Sequence, residues 1–395
     1  MRKIDIAVVG AGPAGIGAAL SAACNGASVA MIDENVAPGG HLRWTMRQQT
    51  GFGGSLDGLR GFEIADWAVD ALATAQVQVL TSSVSWGLFE DNVLGVTTAS
   101  ESFQLQATSV IIATGATDAV WPFPGWELPG VMTATAALKL MHLERVLPGQ
   151  RVVVLGAGHY ADDIASDLSA CGAIVALRLV SGEGIVAGGP DTVAWVEADG
   201  NRTECDAVVL AFGRQPDPHL ALQAQTALAY SPHDMLFVPS RDAALATSLP
   251  GVYVVGHAAG VGSAARAFAE GTVAGESASD GNGLSVALER LRSFEPVTAS
   301  QSAMSVISDK TIVCRCEEIG AGMIRRAIAD GSSSLNDIKR RTRAGMGICQ
   351  GVYCNRTMAG MLAADSGIAL ESIVPMTARP PARLISMAAM AGFES

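Results

Sequence analysis

At 395 residues the chain is long enough for two or three domains, and 49% apolar residues allow a large core. Much of that fraction is Ala and Val, Gly numbers 44 and aromatics are only 5%, a composition suited to helices packed closely on buried parallel strands. A formal charge of −12 and a pI near 4.9 argue against nucleic acid and anionic membrane surfaces, and no apolar run reaches the ~18 residues of a spanning helix.

The opening "MRKIDIAVVGAG" resembles a leader for three residues only and lacks an A-x-A site, so it reads as the first core strand, Ile4–Val9. Seven cysteines without a secretory signal predict a reducing, cytoplasmic compartment. Cys24, Cys171 and Cys205 lie in apolar contexts and are expected to be buried. Gly10, Gly12 and Gly15 follow the strand as G-x-G-x-x-G, with Pro13 and Ala14 opening a helix that runs to about Asn25. The tight turn, the close backbone approach at Gly12 and the helix N-terminus together suit a pyrophosphate. Asp33, 23 residues after Gly10, ends the next strand where a carboxylate can accept from ribose hydroxyls, and Glu34 follows it.

Further along, "PGGHLRW" (Pro38–Trp44) contains Gly39, Gly40 and His41, and "VIIATGA" (Val110–Ala116) ends a strand on Ala113, Thr114 and Gly115. "QRVVVLGAGHYADDIASDLSACGAIVALRLV" (Gln150–Val180) is a second strand–turn–helix–strand, with Gly156, Gly158 and Ala161 as G-x-G-x-x-A. No acid closes its second strand, though Arg178 suits a 2′-phosphate. His159 and Tyr160 crowd its turn, and His159 is expected to be packed or hydrogen-bonded. Only ~20 residues lead from Val180 to the hairpin "TVAWVEADG", too few for another crossover helix and strand. This domain therefore reads as shortened and degenerate. "ECDAVVLAFGRQPD" (Glu204–Asp217) and "SLPGVYVVGHAAG" (Ser248–Gly260, with Gly256 and His257) supply later strands.

Four cysteines remain. Cys314 and Cys316 form C-x-C, Cys349 and Cys354 form C-x4-C, and 32 residues separate the pairs. Four thiolates gathered from such pairs suit an iron–sulfur cluster; zinc and a redox-active disulfide use the same residue type. Ile319, Met323, Ile324 and Ala327 repeat at helical spacing, Gly331 ends that helix, Ser334 can cap a second, and a third follows Cys354 through Met358, Met361 and Leu362. The run Lys339–Arg343 is a solvated helix face, compensation for cluster charge or a dock for an acidic partner.

In order, the four segments Pro38–Trp44, Val110–Ala116, Glu204–Asp217 and Ser248–Gly260 resemble the two-dinucleotide-binding flavoproteins, the group of glutathione and thioredoxin reductases, over roughly residues 1–285. The resemblance implies FAD at Gly10, Gly12, Pro13, Ala14, Gly15, Asp33, Glu34, Gly40, His41, Ala113, Thr114, Gly115, Gly256 and His257. Two positions depart from the pattern: His257 stands where the family carries Asp, and His41 where it carries Gln. They keep open a site that holds ATP or ADP instead of FAD. "CRCEE…DIKRRTRAGMGICQGVYC" resembles the bacterioferritin-associated-ferredoxin-like [2Fe–2S] domain and implies Cys314, Cys316, Cys349 and Cys354 as ligands.

The two together, with "LPGVMTATAALKLM" (Leu128–Met141), resemble the α subunits of hetero-oligomeric amine and amino-acid dehydrogenases. That group includes opine oxidases, hydrogen cyanide synthase, D-hydroxyproline and L-proline dehydrogenases and, more distantly, sarcosine oxidase. The expected fold class is α/β: a glutathione reductase-like two-dinucleotide-binding-domain flavoprotein with a shortened second domain, plus a small, mainly helical [2Fe–2S] domain. The expected domains are 1–118 with 246–290 for FAD, 119–245 degenerate NAD(P)-type, 291–308 linker, 309–372 cluster and 373–395 tail. By resemblance, a partner β subunit with its own FAD oxidises the C–N bond of an amino acid, imino acid or opine-type amine. This chain relays electrons to an external acceptor, sometimes through a ferredoxin-like γ subunit. FMN at a subunit interface is a further cofactor the group allows. No paired carboxylates or Ser/His/Asp set lie beside the flavin loops, so no catalytic residue is assigned. Two alternatives are a self-contained NAD(P)H-dependent reductase and a non-redox adenine-nucleotide scaffold.

Overall fold

The computed structural model describes residues 1–294 and 307–392; most of the expected linker 291–308 lies outside them. The chain divides into two compact units. The first takes in Met1–Ala116 and the described parts of Pro216–Ala299 and Thr377–Ser395; the second takes in Thr117–Gln215 and the described part of Ser300–Met376.

The apolar run at the N-terminus forms the strand Arg2–Val9, whose last four residues are buried. It lies between Val29–Ile32 and Ser102–Ile112, parallel to both, and Gln78–Leu80 adds outside Val29–Ile32. Successive side chains of a strand point to opposite faces. Ile6 and Val8 accordingly enter one core with Met31 and Ile111, and Ala7 and Val9 a second with Ile32 and Ile112. The long strand Ser102–Ile112 has two kinds of neighbour on its other edge. Near its start it pairs antiparallel with Val93–Thr97, which pairs with Val84–Phe89; near its end it pairs parallel with Val252–Val254. The helices Pro13–Cys24 and Ala264–Ala278 approach so closely that a Cβ on Gly271 would stand 1.8 Å from the Ala14 carbonyl oxygen. Part of the C-terminal tail joins this unit, where the Ala382 N–H donates to the Trp86 carbonyl at 2.6 Å.

In the second unit the strands Ile174–Leu179, Arg151–Leu155, Ala207–Leu210 and Val131–Thr133 form a parallel sheet in that order. The strands Val186–Gly188, Trp195–Ala198 and Asn201–Glu204 follow Leu179 as an antiparallel meander, with no helix among them. The expected hairpin and the shortening of this domain are both present. The same unit contains the cysteine segment, in which Ile312–Cys314 pairs antiparallel with Ile319–Gly320. Helices Ala321–Ala329, Leu335–Thr342 and Cys354–Ser366 follow. Ser334 caps the second as expected, its hydroxyl accepting from the Asp337 N–H at 3.2 Å. Ile324, Ile338, Met358 and Leu362 are fully buried and form the centre of its core, each contributing roughly 1.5–3 kcal/mol by burial.

Several expectations are corrected. Ile319 sits in the short strand rather than the first helix; Met323 lies in that helix as expected, 42% exposed. Cys24 and Cys171 are exposed, because each stands at a helix C-terminus where the chain turns toward solvent. Cys205 is buried as predicted, and burial pushes its thiol up to about 11. Among the described residues no helix is long and apolar enough to cross a membrane.

Candidate functional site

The first glycine turn is held open by its neighbours. Gly10 has φ +106°, and a Cβ there would lie 2.3 Å from the Ala113 carbonyl oxygen, so the turn rests directly on the Ala113–Gly115 segment. Gly12 caps the helix Pro13–Cys24, and a Cβ built on it meets nothing within 4 Å. Backbone is therefore bare where a helix N-terminus offers N–H groups without intrahelical acceptors, which suits an anionic pyrophosphate. Asp33 is 7% exposed. Its Oδ2 accepts from the Ala11 N–H at 2.5 Å, and its Oδ1 accepts from the Asn35 backbone and side-chain amides at 2.7 and 2.8 Å. The carboxylate thus braces the turn; Oδ2, with one donor, retains capacity for another. The Gly39 N–H donates to the Ala11 carbonyl at 2.7 Å, which lays the loop carrying Gly40 and His41 beside the turn. The His41 Nε2 lies 3.5 Å from the Ala116 carbonyl oxygen.

Three residues that sequence reasoning left without a role tie this site together. Asp217 is 3% exposed, and its backbone carbonyl accepts from the Thr114 hydroxyl at 2.8 Å while its N–H donates to the Gly115 carbonyl at 3.0 Å. Its carboxylate lies 2.6 Å from His219 Nδ1 and 2.9 Å from Arg383 Nη2. Burial opposes the charge, but the His219 hydrogen bond and the charges of His219 and Arg383 prevail and hold the carboxyl at about 2. Arg383, from the tail, also stands 3.6 Å from the exposed Glu34. Glu270 is 5% exposed on the helix Ala264–Ala278; it accepts from the Gly256 N–H at 2.9 Å and from Arg241 at 2.8 Å. Beside Gly256 and His257 lies a polar cavity of about 200 Å³ lined by Asp234, Arg241, Arg266 and Glu270. The His257 Nε2 stands 2.6 Å from the Gly262 carbonyl oxygen. A lone Glu inside the Ala-rich run "AARAFAEG" was the available sign of Glu270; nothing local announces Asp217 or Arg383.

The second glycine turn is also open at Gly158, where a Cβ would meet nothing within 4 Å, but its surrounding side chains differ. The Tyr160 hydroxyl donates to the buried Asp118 at 3.3 Å, and burial raises that hydroxyl above its ordinary range. Asp118 also accepts from Thr135 N–H and Oγ at 3.0 and 2.9 Å. Arg178, the candidate for a 2′-phosphate, pairs with Asp162 at 2.5 Å. His159 is exposed rather than packed, on the first turn of the helix Gly158–Ala170.

The four cysteines converge, although the chain delivers them in separate loops. The thiols are free and lie close together: Cys314 is within hydrogen-bond reach of Cys354 and Cys316 of Cys349, and Cys349 also acts on Cys354. The Cys354 thiol, helped by N–H groups of Gly345, Glu317 and Cys316, outweighs burial and holds Cys314 at about 6; Cys354 itself is raised in return. Burial, with Cys316 adding to it, pushes Cys349 up. Among the described residues no group of three or more His, Cys, Asp and Glu is disposed around one ion. Two neighbouring thiol pairs match a two-iron cluster, whose four thiolates are shared between two metals.

Both ligand loops are fastened to the 117–215 part of the same unit. Trp126, 1% exposed, donates from Nε1 to the Ile312 carbonyl at 2.5 Å. Gln215, 4% exposed, donates to the Val352 carbonyl at 2.6 Å, between Cys349 and Cys354. Arg315, between Cys314 and Cys316, lies 5.0 Å over the Trp126 ring and donates to the Glu127 carbonyl at 3.3 Å.

Comparison with known proteins agrees with this geometry. The pyridine nucleotide-disulphide oxidoreductase family is matched over residues 4–182 and 177–271, and the BFD-like [2Fe-2S] binding domain over 312–364. An opine oxidase subunit of Rhizobium meliloti (strain 1021) is 30% identical over 99% of this chain and 99% of that protein. Hydrogen cyanide synthase subunit HcnB of Pseudomonas aeruginosa is 24% identical over 88% of this chain and 90% of that protein. Among solved structures, L-proline dehydrogenase from P. horikoshii superposes with a TM-score of 0.89 at 26% identity, covering 98% of this chain and 79% of that one. The first family implies FAD and the second a [2Fe–2S] cluster, and the open first turn and the paired thiols fit them. The chain belongs to the pyridine nucleotide-disulphide oxidoreductase family, alongside that opine oxidase subunit, and is a flavo-iron–sulfur oxidoreductase.

Proposed function

We propose that this chain is the electron-relaying subunit of a hetero-oligomeric dehydrogenase that oxidises the C–N bond of an amino acid, imino acid or opine-type secondary amine. The observation that supports it most is the coexistence of an open, acid-braced nucleotide turn and a two-and-two thiol site in one chain. Full-length similarity to a protein named as a subunit supports the need for a partner. The C–N bond is oxidised on that partner, an FAD-containing β subunit, and an external acceptor takes the electrons.

When bound, FAD supplies two-electron chemistry and the cluster one-electron chemistry. The chain's own residues hold and insulate them. Gly10, Gly12, Pro13, Ala14 and Gly15 present backbone to the pyrophosphate, and Asp33 and Glu34 face the ribose. Ala113, Thr114 and Gly115 form the floor, kept in place by Asp217. Gly40, His41, Gly256 and His257 take the flavin half, with Glu270 fixing Gly256. Cys314, Cys316, Cys349 and Cys354 bind the cluster irons as thiolates. No residue of this set acts as a substrate acid or base.

The test is to purify the full chain from its native cells with whatever it binds, and to assay dye reduction with a panel of imino acids, N-alkyl amino acids and opines. Oxidation by the complex and none by the isolated chain is expected. Substrate oxidation by the isolated chain, or bleaching of its flavin by NADPH, would overturn the reading.

A further inference from the structure

The four-thiol site opens to solvent on one side. Cys314 and Cys354 are each 1% exposed, Cys349 is half-buried and Cys316 is exposed. Gly347 crosses that outer thiol; a Cβ on it would stand 2.2 Å from the Cys316 Cβ, so the loop passes there without a side chain. On either side of Gly347, Met346 and Ile348 point outward, 39% and 70% exposed.

The segment that leads into this loop is basic. Arg343 pairs with Glu317, next to Cys316, at 2.9 Å, and Arg340 and Arg341 are exposed on the helix Leu335–Thr342. The Arg340 and Arg343 side chains are each 72% exposed, so their ion pairs are screened and loosely held. Residues 312–364 contain eight Arg or Lys against four Asp or Glu, one of the eight, Arg325, being paired with Asp309 and Asp365 just outside that span, within a chain of net charge −12.

We propose that this edge is a docking surface for an acidic one-electron carrier protein, whose apolar centre covers Met346 and Ile348 and whose carboxylates face Arg340, Arg341 and Arg343. The proposal rests on reading the cysteines as a cluster site. Two apolar side chains inside a charged rim suit the small, transient encounters of electron carriers rather than the larger, apolar interface of a permanent subunit. Each encounter moves one electron, the carrier gaining what this chain's redox centre loses, or the reverse.

The experiment titrates the iron-loaded full chain with an acidic plant-type ferredoxin in redox-inert, gallium-substituted form, by calorimetry at low and high salt. Affinity should fall at least tenfold as salt rises, and about tenfold again when Arg340→Glu and Arg341→Glu are combined, because rim charges govern such encounters. Ile348→Asp should weaken binding with iron content unchanged, and a basic cytochrome should not bind. Equal affinity in the charge-reversed chain, or preference for the cytochrome, would overturn the proposal. So would loss of ferredoxin binding once a dehydrogenase partner is attached, which would assign the face to that partner. If the wild-type chain takes up no iron, the cluster reading fails separately, and ferredoxin binding still reports on the surface.

Discussion

The two glycine-rich turns share a sequence pattern and differ in the side chains that surround them. Gly12 at the first and Gly158 at the second both look into open space, but only at the first does the acid that ends the next strand brace the turn, through Ala11. At the second, Tyr160 turns its hydroxyl to Asp118, and the strand end offers Arg178 already paired with Asp162. The motif itself reports only a strand–turn–helix. Whether an anion can settle there depends on residues tens of positions away, such as Asp118 and Asp217. The second domain also anchors the cysteine loops.

The contrast can be broken at either turn. Gly12→Val should lower retention of the adenine nucleotide by at least ~100-fold, about 3 kcal/mol, since it fills the space left for phosphate. Thermal stability should change little, as a Cβ at this position meets no protein atom within 4 Å; released nucleotide and the unfolding temperature, measured on the same sample, check the two halves. Asp217→Asn should cost about 2 kcal/mol near neutral pH, from a carboxyl held at about 2 instead of its unfolded value. Because that pKa is lowered, its stabilisation is complete above about pH 4 and disappears as pH falls through 2. Unfolding curves across that window should show the acid-side slope in the wild type and its loss in the variant. Gln215→Ala leaves the Val352 carbonyl without its donor and should cost roughly 1–2 kcal/mol, read as faster loss of iron to a chelator. The smallest effect belongs to the second turn: Arg178→Ala should shift stability by under about 1 kcal/mol, given a half-exposed pair. Bound nucleotide should be unchanged; a measurable loss would mean that the second turn is in use.

Local patterns carried most of the fold. Gly10 to Gly15 with Asp33 specified the first unit's opening, the short stretch after Val180 announced the missing crossover, and Ser334 marked its helix start. What was not legible depends on side chains meeting across the chain. Spacing brought four cysteines together but could not say that each thiol pairs with one from the other motif. Trp126, Gln215, Asp217 and Arg383 act through long-range hydrogen bonds and ion pairs, which leave no periodicity behind. Cys24 and Cys171 misled because an apolar neighbourhood in sequence does not survive the end of a helix.

The hydrogen bonds from Trp126 and Gln215 also bear on how portable the cysteine segment is. A fragment spanning only 312–364 would keep the helices and all four thiols yet bare the Ile312 and Val352 carbonyls and strip Arg315 of its aromatic cover. Excised, it should assemble a more labile centre than a free-standing ferredoxin of the same size. Grafted onto another flavoprotein, it would need a tryptophan and an amide supplied by its new host.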